Sequence, residues 1–456
     1  MIAESIFKAY DIRGVVDETL TVEAVELVGK AFGSEALAQS QQSVVIARDG
    51  RLSSPKIAEA LSKGLRSTGI NVIDIGMVPT PVLYFATHVL KTGTGIMITG
   101  SHNPPQYNGL KMVMATNTLY GETIQELLQR IQANNFNSGE GTYTEEDVSE
   151  QYLQKICSDV KLKKPLKIAV DSGNGVAGEL APELFKRMGC EVVELFSEID
   201  GTFPNHHPDP SKLENLKDLE QAIDDFGVDL GLAFDGDGDR VGIVDNHKKV
   251  IFPDRQMMLY AEDVLSRNPG AQVIYDIKSS NQLDKEIKRL GGDALMWKTG
   301  HSFIKAKMKE TGALLAGEMS GHIFFKERWY GFDDGLYSAA RMLEILSQKD
   351  QAAADIFSAL PDSCNTPEIQ ISFEEGEHYK FMDKLKAVAD FGDADISTID
   401  GMRVNYDFGW GLIRPSNTTP CLVLRFEADT EEGLAQVQQK FRQQILKVDD
   451  SLTLEF

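Results

Sequence analysis

The sequence has 456 residues and a formal net charge of −23 at pH 7, so it is long enough for three or four domains and too acidic to offer an obvious nucleic-acid surface. No apolar run is long enough to cross a bilayer, the N-terminus lacks a signal-peptide pattern, and the four cysteines form no metal-type pair. We therefore expect a reduced, cytoplasmic protein that binds neither nucleic acid nor membrane.

One strand–helix–strand pattern recurs three times along the chain. The units start near residues 43, 167 and 272, have predicted helices at 55–67, 178–188 and 281–290, and continue into second strands at 70–75, 191–195 and 293–296. A further apolar strand in each unit ends in a polar loop, at Ser101, Asp235 and Glu318. Ligands of such α/β sheets bind beyond the carboxyl ends of the strands, which makes these loops the candidate sites.

The last ninety or so residues follow a different pattern. They read as a helix at 381–391, strands at 401–406 and 421–426, and a closing helix at 430–446. We therefore predict an α/β fold of three similar domains with mixed sheets, followed by a C-terminal α+β domain. The predicted domains span 1–147, 148–250, 251–363 and 364–456.

The loop that holds Ser101 is the most informative of these loops. An apolar run, Ile96 to Ile98, leads into the serine, and Pro104 and Pro105 stiffen the chain after it. A serine presented in this way suits a nucleophile or a phosphate carrier, although a polar turn without chemistry is the plainer alternative. A serine hydrolase is disfavoured, since the G-x-S-x-G elbow is missing and no triad is readable.

An acidic loop follows the corresponding strand of the second unit. Asp235, Asp237 and Asp239 alternate with glycines, so their oxygens can converge on one hard cation, and Mg²⁺ fits best. An EF-hand would need Gly and Glu at the positions of Arg240 and Asn246, and it is rejected. Three carboxylates this close would repel one another unless a cation joined them.

Two more loops carry convergent polar groups. The segment 414–420 offers the Arg414 guanidinium together with hydroxyls and an amide, which suits a phosphate. In the segment 317–322, Glu318, Ser320 and His322 could hydrogen-bond a polyol. In both cases an ordinary polar turn remains an alternative.

An anionic ligand would be repelled by the average charge of this chain, so its site must gather positive side chains. Tyr10 and Arg13 precede a glycine, and Lys111 follows the serine loop closely. The candidate cations are Arg13, Lys111, Arg240, Lys278, Lys298 and Arg414.

A glycine pattern in the second unit admits another function. Gly173, Gly175 and Gly178 match G-x-G-x-x-G after a strand, and Glu194 lies near the offset of a ribose contact. A lone glycine fingerprint is weak evidence, and a glycine-rich turn also suits a repeated α/β unit. NAD binding stays an alternative.

Taken together, these motifs resemble the α-D-phosphohexomutase superfamily, and most closely its bacterial phosphomannomutase/phosphoglucomutase branch. The resemblance covers essentially the whole chain and rests on segments 8–14, 99–104, 235–240, 317–322 and 414–420. It implies four domains around a central active-site cleft, each contributing one loop.

The resemblance also implies roles for individual residues. Ser101 would be the phosphoserine, whose oxygen binds Mg²⁺ together with Asp235, Asp237 and Asp239. Catalytic roles would fall to Ser101, Arg13, Lys111, Arg240 and His301, with either Lys111 or His301 as the general base. Substrate would be bound by Tyr10, Lys278, Glu318, Ser320, His322, Arg414, Ser416, Asn417 and Thr418.

The implied function is the interconversion of hexose 1-phosphate and hexose 6-phosphate, with mannose or glucose as the sugar. Phospho-Ser101 would give its phosphoryl group to the substrate, and a hexose 1,6-bisphosphate would turn over in the cleft before the other phosphate returned. Phosphoglucosamine mutase and a non-catalytic sugar-phosphate-binding protein are the alternatives.

Overall fold

The computed structural model describes residues 2–416, 419–454 and 456. Within these residues the strands form four separate sheets, and each of the first three sheets is mixed. The three α/β sheets and the C-terminal α+β unit confirm the predicted fold class. Among the described residues, no helix is both long and apolar enough to span a membrane.

The first sheet carries the serine loop at its centre. Its strand order is β1-β5-β4-β2-β3-β7, with β6 paired to β5, and β4 is parallel to β2 but antiparallel to β5. The elements are β1 Ile12–Val15, α1 Val22–Ala38, β2 Ser43–Arg48, α2 Ser54–Arg66, β3 Asn71–Met77, α3 Thr80–Val89, β4 Gly95–Ile98, β5 Tyr107–Met114, β6 Asn117–Thr118, α4 Glu122–Gln132 and β7 Tyr143–Glu145.

The second sheet carries the acidic loop. Its order is β12-β11-β10-β8-β9, in which β9, β8 and β10 are parallel and β11 returns antiparallel to β10. The elements are α5 Ser149–Asp159, β8 Lys167–Asp171, α6 Leu180–Arg187, β9 Glu191–Leu195, α7 Lys217–Phe226, β10 Leu230–Phe234, β11 Val241–Asp245 and β12 Val250–Ile251.

The third sheet repeats this plan with the order β14-β13-β15-β16, and β16 is the antiparallel strand. The elements are α8 Pro253–Arg267, β13 Gln272–Asp276, α9 Asn281–Arg289, β14 Asp293–Trp297, α10 His301–Thr311, β15 Leu315–Gly317, β16 Ile323–Phe325, α11 Gly335–Ser347 and α12 Ala353–Ser358.

The fourth sheet is antiparallel, with the order β17-β22-β21-β20-β19 and β18 paired to β22. The elements are β17 Cys364–Asn365, β18 Ile369–Ser372, α13 Glu377–Val388, β19 Asp395–Ser397, β20 Met402–Tyr406, β21 Gly409–Pro415, β22 Cys421–Ala428 and α14 Glu431–Val448.

Buried apolar clusters show how the four units are packed against one another. One buried cluster runs through the first three sheets, from Val45 and Met97 to Phe234 and Tyr337. The fourth unit has a core of its own, built around Leu424 and the other apolar residues of its sheet and helices. A small buried cluster of Ile277, Trp410 and Leu412 joins the fourth unit to the third.

The predicted helix at 381–391 is wrong at both ends, since α13 spans Glu377–Val388. It begins directly after Gly376, whose backbone is in the left-handed region (φ +83°). β21 was not predicted at all, since two glycines interrupt its apolar pattern. A Cβ on Gly411 would lie 2.4 Å from the Phe441 ring, so the glycine makes room for α14.

Candidate active site

A cavity of about 690 Å³ lies where loops from all four sheets meet. This volume is typical of a small-molecule site. The structure brings twelve of the predicted site residues to the lining of this cavity: Tyr10, Arg13, Ser101, Lys111, Arg240, Lys278, His301, Glu318, Ser320, His322, Arg414 and Ser416. The aspartates of the acidic loop are fully buried and do not themselves line the cavity. Asn417 and Thr418 lie outside the described residues.

Ser101 stands just beyond the carboxyl end of β4 and is 3% exposed. Its backbone is in the left-handed region (φ +49°), which is uncommon for a residue with a Cβ. The amide donates to Thr99 Oγ1 at 2.7 Å, and the hydroxyl donates to Asp235 Oδ2 at 3.2 Å. The hydroxyl also lies 3.3 Å from His102 Nδ1, so the serine is held between the acidic loop and the neighbouring imidazole.

The acidic loop follows β10, and all three of its aspartates are fully buried. One oxygen of each of Asp235, Asp237 and Asp239 lies within 4.8 Å of the others. The glycines allow this approach: a Cβ on Gly236 would lie only 2.4 Å from the Ser101 carbonyl oxygen. The alternation of glycine and aspartate therefore also lets the loop close against the serine.

Two cations neutralise part of this charge. Lys111 Nζ lies 2.7 Å from Asp237 Oδ2 and 2.5 Å from Asp239 Oδ2, and Arg240 Nε lies 2.9 Å from Asp235 Oδ2. Burial alone would lower the pKa of Lys111, but the two carboxylates raise it well above the ordinary range, so the ammonium is charged. Burial raises the pKa of Asp235 to about 7, against the opposing effect of Arg240.

The loop also has the donors that a metal needs. Asp237 Oδ1 and Asp239 Oδ1 are buried and have no hydrogen-bond partner among the described residues. Asp239 Oδ1 does lie 3.4 Å from His322 Nε2, but neither oxygen accepts a hydrogen bond, which is costly in a buried site, and a hard divalent cation would satisfy both. The residues present therefore fit a divalent metal.

The loop after β15 lies between the acidic loop and the rest of the cavity. Glu318 Oε1 accepts the Gly300 N–H at 2.5 Å, and Ser320 Oγ lies 2.8 Å from His322 Nδ1. His322 Nε2 lies 3.4 Å from Asp239 Oδ1. Burial raises the pKa of Glu318 to about 7.

Arg414 lies near the end of β21 and is 5% exposed. Its Nε donates to Asp400 Oδ2 at 2.9 Å, and the same oxygen accepts the Thr299 N–H at 3.1 Å. On the third domain, Lys278 Nζ lies 2.6 Å from Glu368 Oε1. Two cations thus stand together at this end of the cavity, each oriented by a carboxylate.

The N-terminal segment contacts both the serine loop and His301. Arg13 donates to Asp11 Oδ2 at 2.6 Å and to Asn103 Oδ1 at 3.2 Å. The Tyr10 ring meets the His301 ring edge-on, with 5.3 Å between centroids. Both nitrogens of His301 are buried without a hydrogen-bond partner among the described residues, and burial lowers its pKa well below the ordinary value.

One predicted cation is placed elsewhere. Lys298 does not line the cavity formed by the described residues; its ammonium lies over the Phe303 ring, 3.9 Å from the centroid. The other five cations of that set line the cavity, together with Lys212 and Arg425, which the sequence analysis did not single out.

The glycines that suggested a dinucleotide site are explained by packing. A Cβ on Gly178 would lie 2.1 Å from the Ser197 carbonyl oxygen, and a Cβ on Gly175 would lie 3.1 Å from Gly236. Glu194, the candidate ribose contact, is paired with Lys186 at 2.5 Å. A close approach between backbones accounts for the pattern without a nucleotide.

Several residues of the site were not predicted from the sequence. Thr80 donates to Asp237 Oδ2 at 2.5 Å, and Asp209 lines the cavity and lies 3.4 Å from Arg240 Nη1. The dense polar segment 205–211 could have pointed to Asp209. Thr80 and Asp400 act through long-range contacts that local sequence does not reveal.

Comparisons with known proteins agree with this geometry. Residues 4–138, 150–248 and 252–364 match the phosphoglucomutase/phosphomannomutase alpha/beta/alpha domains I, II and III, and residues 368–444 match the C-terminal domain of the same family. The chain is 55% identical to a phosphomannomutase/phosphoglucomutase of Pseudomonas putida over 453 residues, covering 99% of this chain and 98% of that protein. It is 54% identical to a phosphoglucomutase of Neisseria meningitidis over 445 residues, covering 97% and 96% of the two chains.

Among solved structures, it is similar to a phosphoglucomutase/phosphomannomutase family protein from Burkholderia thailandensis. The TM-score is 0.95 at 52% identity, and the match covers 100% of both chains.

Proposed function

Because the chain belongs to the phosphoglucomutase/phosphomannomutase family, we propose that Ser101 carries the phosphoryl group that this enzyme moves between the two ends of a hexose. The enzyme is a phosphohexomutase that interconverts hexose 1-phosphate and hexose 6-phosphate. Mannose and glucose phosphates are the proposed substrates, and a hexose 1,6-bisphosphate is the proposed intermediate.

The single observation that supports this role most strongly is the meeting of Ser101 with the acidic loop. The serine hydroxyl donates to Asp235 Oδ2 at 3.2 Å, in a cavity whose lining also includes Arg414 and Lys278. A nucleophile and a separate pair of cations in one cavity suit a substrate with a reacting group and a second, non-reacting phosphate.

Asp235, Asp237 and Asp239 would hold Mg²⁺ together with an oxygen of phospho-Ser101. When bound, the ion would supply charge neutralisation at the transferring phosphoryl group. The support is the all-oxygen donor set and the two buried carboxylate oxygens, Asp237 Oδ1 and Asp239 Oδ1, that accept no hydrogen bond among the described residues. Arg240 and Lys111 add fixed positive charge beside the same loop.

His301 is the better candidate for the general base. Lys111 is a charged ammonium shared between two carboxylates, so it has no lone pair to offer. Burial lowers the pKa of His301, which favours the neutral ring, and neither ring nitrogen has a hydrogen-bond partner among the described residues; Nδ1 lies 3.5 Å from Asp333 Oδ2. It can therefore accept the proton of the attacking sugar hydroxyl. Arg13 and Tyr10 hold the serine loop and the His301 ring in place.

Glu318, Ser320 and His322 are proposed to bind the sugar hydroxyls. Arg414 and Ser416, with Lys278 nearby, are proposed to bind the phosphate that does not react, and Asn417 and Thr418 remain predicted members of this group. Asp400 accepts a hydrogen bond from Arg414 Nε, and this contact fixes the plane of the guanidinium. The direction in which its two terminal nitrogens point is thereby set.

In the proposed cycle, a phosphoryl group passes from Ser101 to the sugar and a second one passes back. A sugar hydroxyl loses its proton to His301 while its oxygen forms a bond to phosphorus, and the bond between phosphorus and Ser101 Oγ breaks. The resulting bisphosphate turns end over end in the cavity. The other phosphoryl group passes to Ser101 Oγ, and the proton returns to the sugar oxygen that has lost its phosphate.

We also propose the bounds of the four domains and the location of the protein in the cell. The domains are taken as 1–147, 148–250, 251–363 and 364–456, supported by the ranges that match the four family domains. A cytoplasmic location is supported by the cysteines, since Cys157, Cys190, Cys364 and Cys421 are all free.

A coupled mutase assay tests the substrate class. The enzyme is offered mannose 1-phosphate, glucose 1-phosphate and glucosamine 1-phosphate, each primed with a trace of glucose 1,6-bisphosphate. We expect turnover of the first two at comparable kcat/KM. A clear preference for glucosamine 1-phosphate would contradict the proposed substrates.

A further inference from the structure

Arg51 lies directly behind the serine loop and is 2% exposed. An arginine has five N–H donors in a rigid plane, and here every one of them has an acceptor. Nη2 donates to the carbonyl oxygens of Ser101 at 2.8 Å and Asn103 at 2.6 Å, and Nη1 donates to those of Pro104 at 2.7 Å and Tyr107 at 3.0 Å. Nε donates to Asp49 Oδ2 at 3.1 Å.

These contacts fix the loop from its back. Four carbonyl groups between 101 and 107 turn towards one buried guanidinium, while the Ser101 hydroxyl faces Asp235 on the other side. The left-handed backbone at Ser101 (φ +49°) is a conformation that needs such support. Arg51 itself lies outside the cavity lining formed by the described residues.

Asp49 and Gly100 complete the arrangement. Asp49 Oδ2 also accepts the Gly100 N–H at 3.1 Å, and Asp49 Oδ1 accepts the Ser54 hydroxyl at 2.6 Å. A Cβ on Gly100 would lie 2.4 Å from Arg51 Cζ, so the glycine lets the guanidinium lie against the backbone. The Phe203 ring, from the second domain, lies 5.2 Å from the same carbon.

We propose that Arg51 is a positioning residue for phosphoryl transfer, which holds the Ser101 oxygen in line with the acidic loop and the sugar. This inference rests on the proposed role of Ser101 as the phosphoryl carrier. It follows from geometry: phosphoryl transfer depends on alignment and charge, and an error of about 1 Å can cost on the order of a hundredfold in rate. A buried contact that sets the position of the carrier therefore acts on kcat, not on substrate affinity.

Lysine cannot replace this residue. Its ammonium has three donors that spread from one point, whereas the four carbonyls and Asp49 surround a flat fork. Arg51→Lys keeps the positive charge but loses the planar array of donors. The variant therefore distinguishes a positioning role from a purely electrostatic one.

The test compares Arg51→Lys with wild type in the full-length enzyme. The readouts are kcat and KM for glucose 1-phosphate, the rate at which Ser101 gains phosphate from glucose 1,6-bisphosphate, measured by mass spectrometry, and the unfolding temperature. We expect kcat and the phosphorylation rate to fall together by about tenfold or more, while KM changes by less than about threefold.

Arg341→Lys is the matched control. Arg341 is also fully buried and bonded to Asp263 and Glu327, but it belongs to α11 and lies outside the cavity lining. We expect it to lower the unfolding temperature and leave kcat unchanged. A kcat near wild type in folded Arg51→Lys would overturn the inference, as would an equal loss of kcat in the control.

Two further variants make every outcome of this test interpretable. If Arg51→Lys does not fold, Asp49→Asn weakens the same contacts and is measured in the same way, and an unchanged kcat in that variant overturns the inference. Ser101→Ala is assayed alongside. If Ser101→Ala is inactive and Arg51→Lys is normal, only the role of Arg51 fails; if Ser101→Ala turns over, the proposed carrier itself fails.

Discussion

Ser101 Oγ donates a hydrogen bond to Asp235 Oδ2 at 3.2 Å, although the two residues are 134 positions apart in the chain. Each stands just beyond the carboxyl end of a buried strand, one in the first sheet and one in the second. The contact therefore exists only when the two domains are packed together. It brings the proposed phosphoryl carrier to the proposed metal ligands, and most of the predictions below depend on it.

Replacing Asp237 by asparagine should remove metal-dependent turnover. The change takes away a carboxylate whose Oδ1 has no partner among the described residues and whose Oδ2 pairs with Lys111. Since disturbing even the groups around a metal site costs about 10- to 100-fold in metal affinity or activity, we expect at least that loss at saturating substrate. The measurement is turnover against Mg²⁺ concentration.

Asp245→Asn is the control for that experiment, because Asp245 is a buried aspartate of the same domain that accepts backbone N–H groups outside the cavity lining. Wild-type metal dependence in Asp237→Asn would show that the acidic loop does not hold the metal.

Replacing Arg414 by alanine should weaken substrate binding. A charge-assisted hydrogen bond contributes about 1.5–3 kcal/mol, which corresponds to a rise in KM of roughly 10- to 100-fold. Because the same clamp must accept both ends of the turning bisphosphate, kcat should fall as well. Steady-state kinetics with glucose 1-phosphate measures both constants. Arg442→Ala, on α14 where its guanidinium packs against Phe456, is expected to leave them unchanged, and normal constants in Arg414→Ala would exclude the clamp.

The pH dependence of KM should report on Glu318. Burial raises its pKa to about 7, so its proton is retained until the pH exceeds that value, and the carboxylate that accepts sugar hydroxyls forms only above it. We expect KM to fall about fivefold as the pH rises from about 6 to about 8, because hydrogen bonds to a charged acceptor are stronger by about 1 kcal/mol.

Glu318→Gln should abolish that part of the profile, since glutamine does not titrate. The second ionisation of the substrate phosphate contributes equally to both enzymes and cancels in the comparison. An identical pH profile in wild type and Glu318→Gln would show that Glu318 does not bind the sugar through its charge.

Replacing Gly236 by alanine should move the serine loop. The added Cβ would lie 2.4 Å from the Ser101 carbonyl oxygen, which belongs to the backbone and cannot swing aside. We expect kcat to fall by about tenfold or more, with a loss of stability of about 1–3 kcal/mol from overpacking. Kinetics and thermal unfolding measure the two effects.

Gly231→Ala provides the comparison. Gly231 lies in β10, which leads into the acidic loop, and its added Cβ would meet the Leu219 side chain of α7 at 2.9 Å. It should lose stability and keep kcat. If both variants keep the wild-type kcat, the close approach of the two loops is not required for turnover.

The sequence predicted the parts of this enzyme that local patterns determine. The strands β4, β10 and β15 are short apolar runs, and the loops after them hold Ser101, Asp235 and Glu318. The sequence therefore predicted both the reactive side chains and their positions at the ends of strands. The repeating pattern predicted the three α/β domains, and the different pattern of the last ninety or so residues predicted the α+β domain; the fold class, with its mixed sheets, is confirmed.

What the sequence did not predict depends on contacts between distant segments. Arg51 belongs to a polar turn that resembles any surface loop, and its five bonds exist only because residues 101–107 fold over it. Asp400 joins Thr299 to Arg414 across two domains, and Thr80 reaches Asp237 from another sheet. Such residues have ordinary neighbours in sequence and acquire their roles through packing.

The most direct test of the central claim is the phosphorylation of Ser101. Wild type and Ser101→Ala are incubated with glucose 1,6-bisphosphate, analysed by peptide mass spectrometry and assayed for conversion of glucose 1-phosphate. We predict one phosphoryl group on the wild-type peptide that contains Ser101, none on the variant, and loss of mutase turnover in the variant. Wild-type turnover by Ser101→Ala, or phosphorylation of another residue in the active enzyme, would contradict the account.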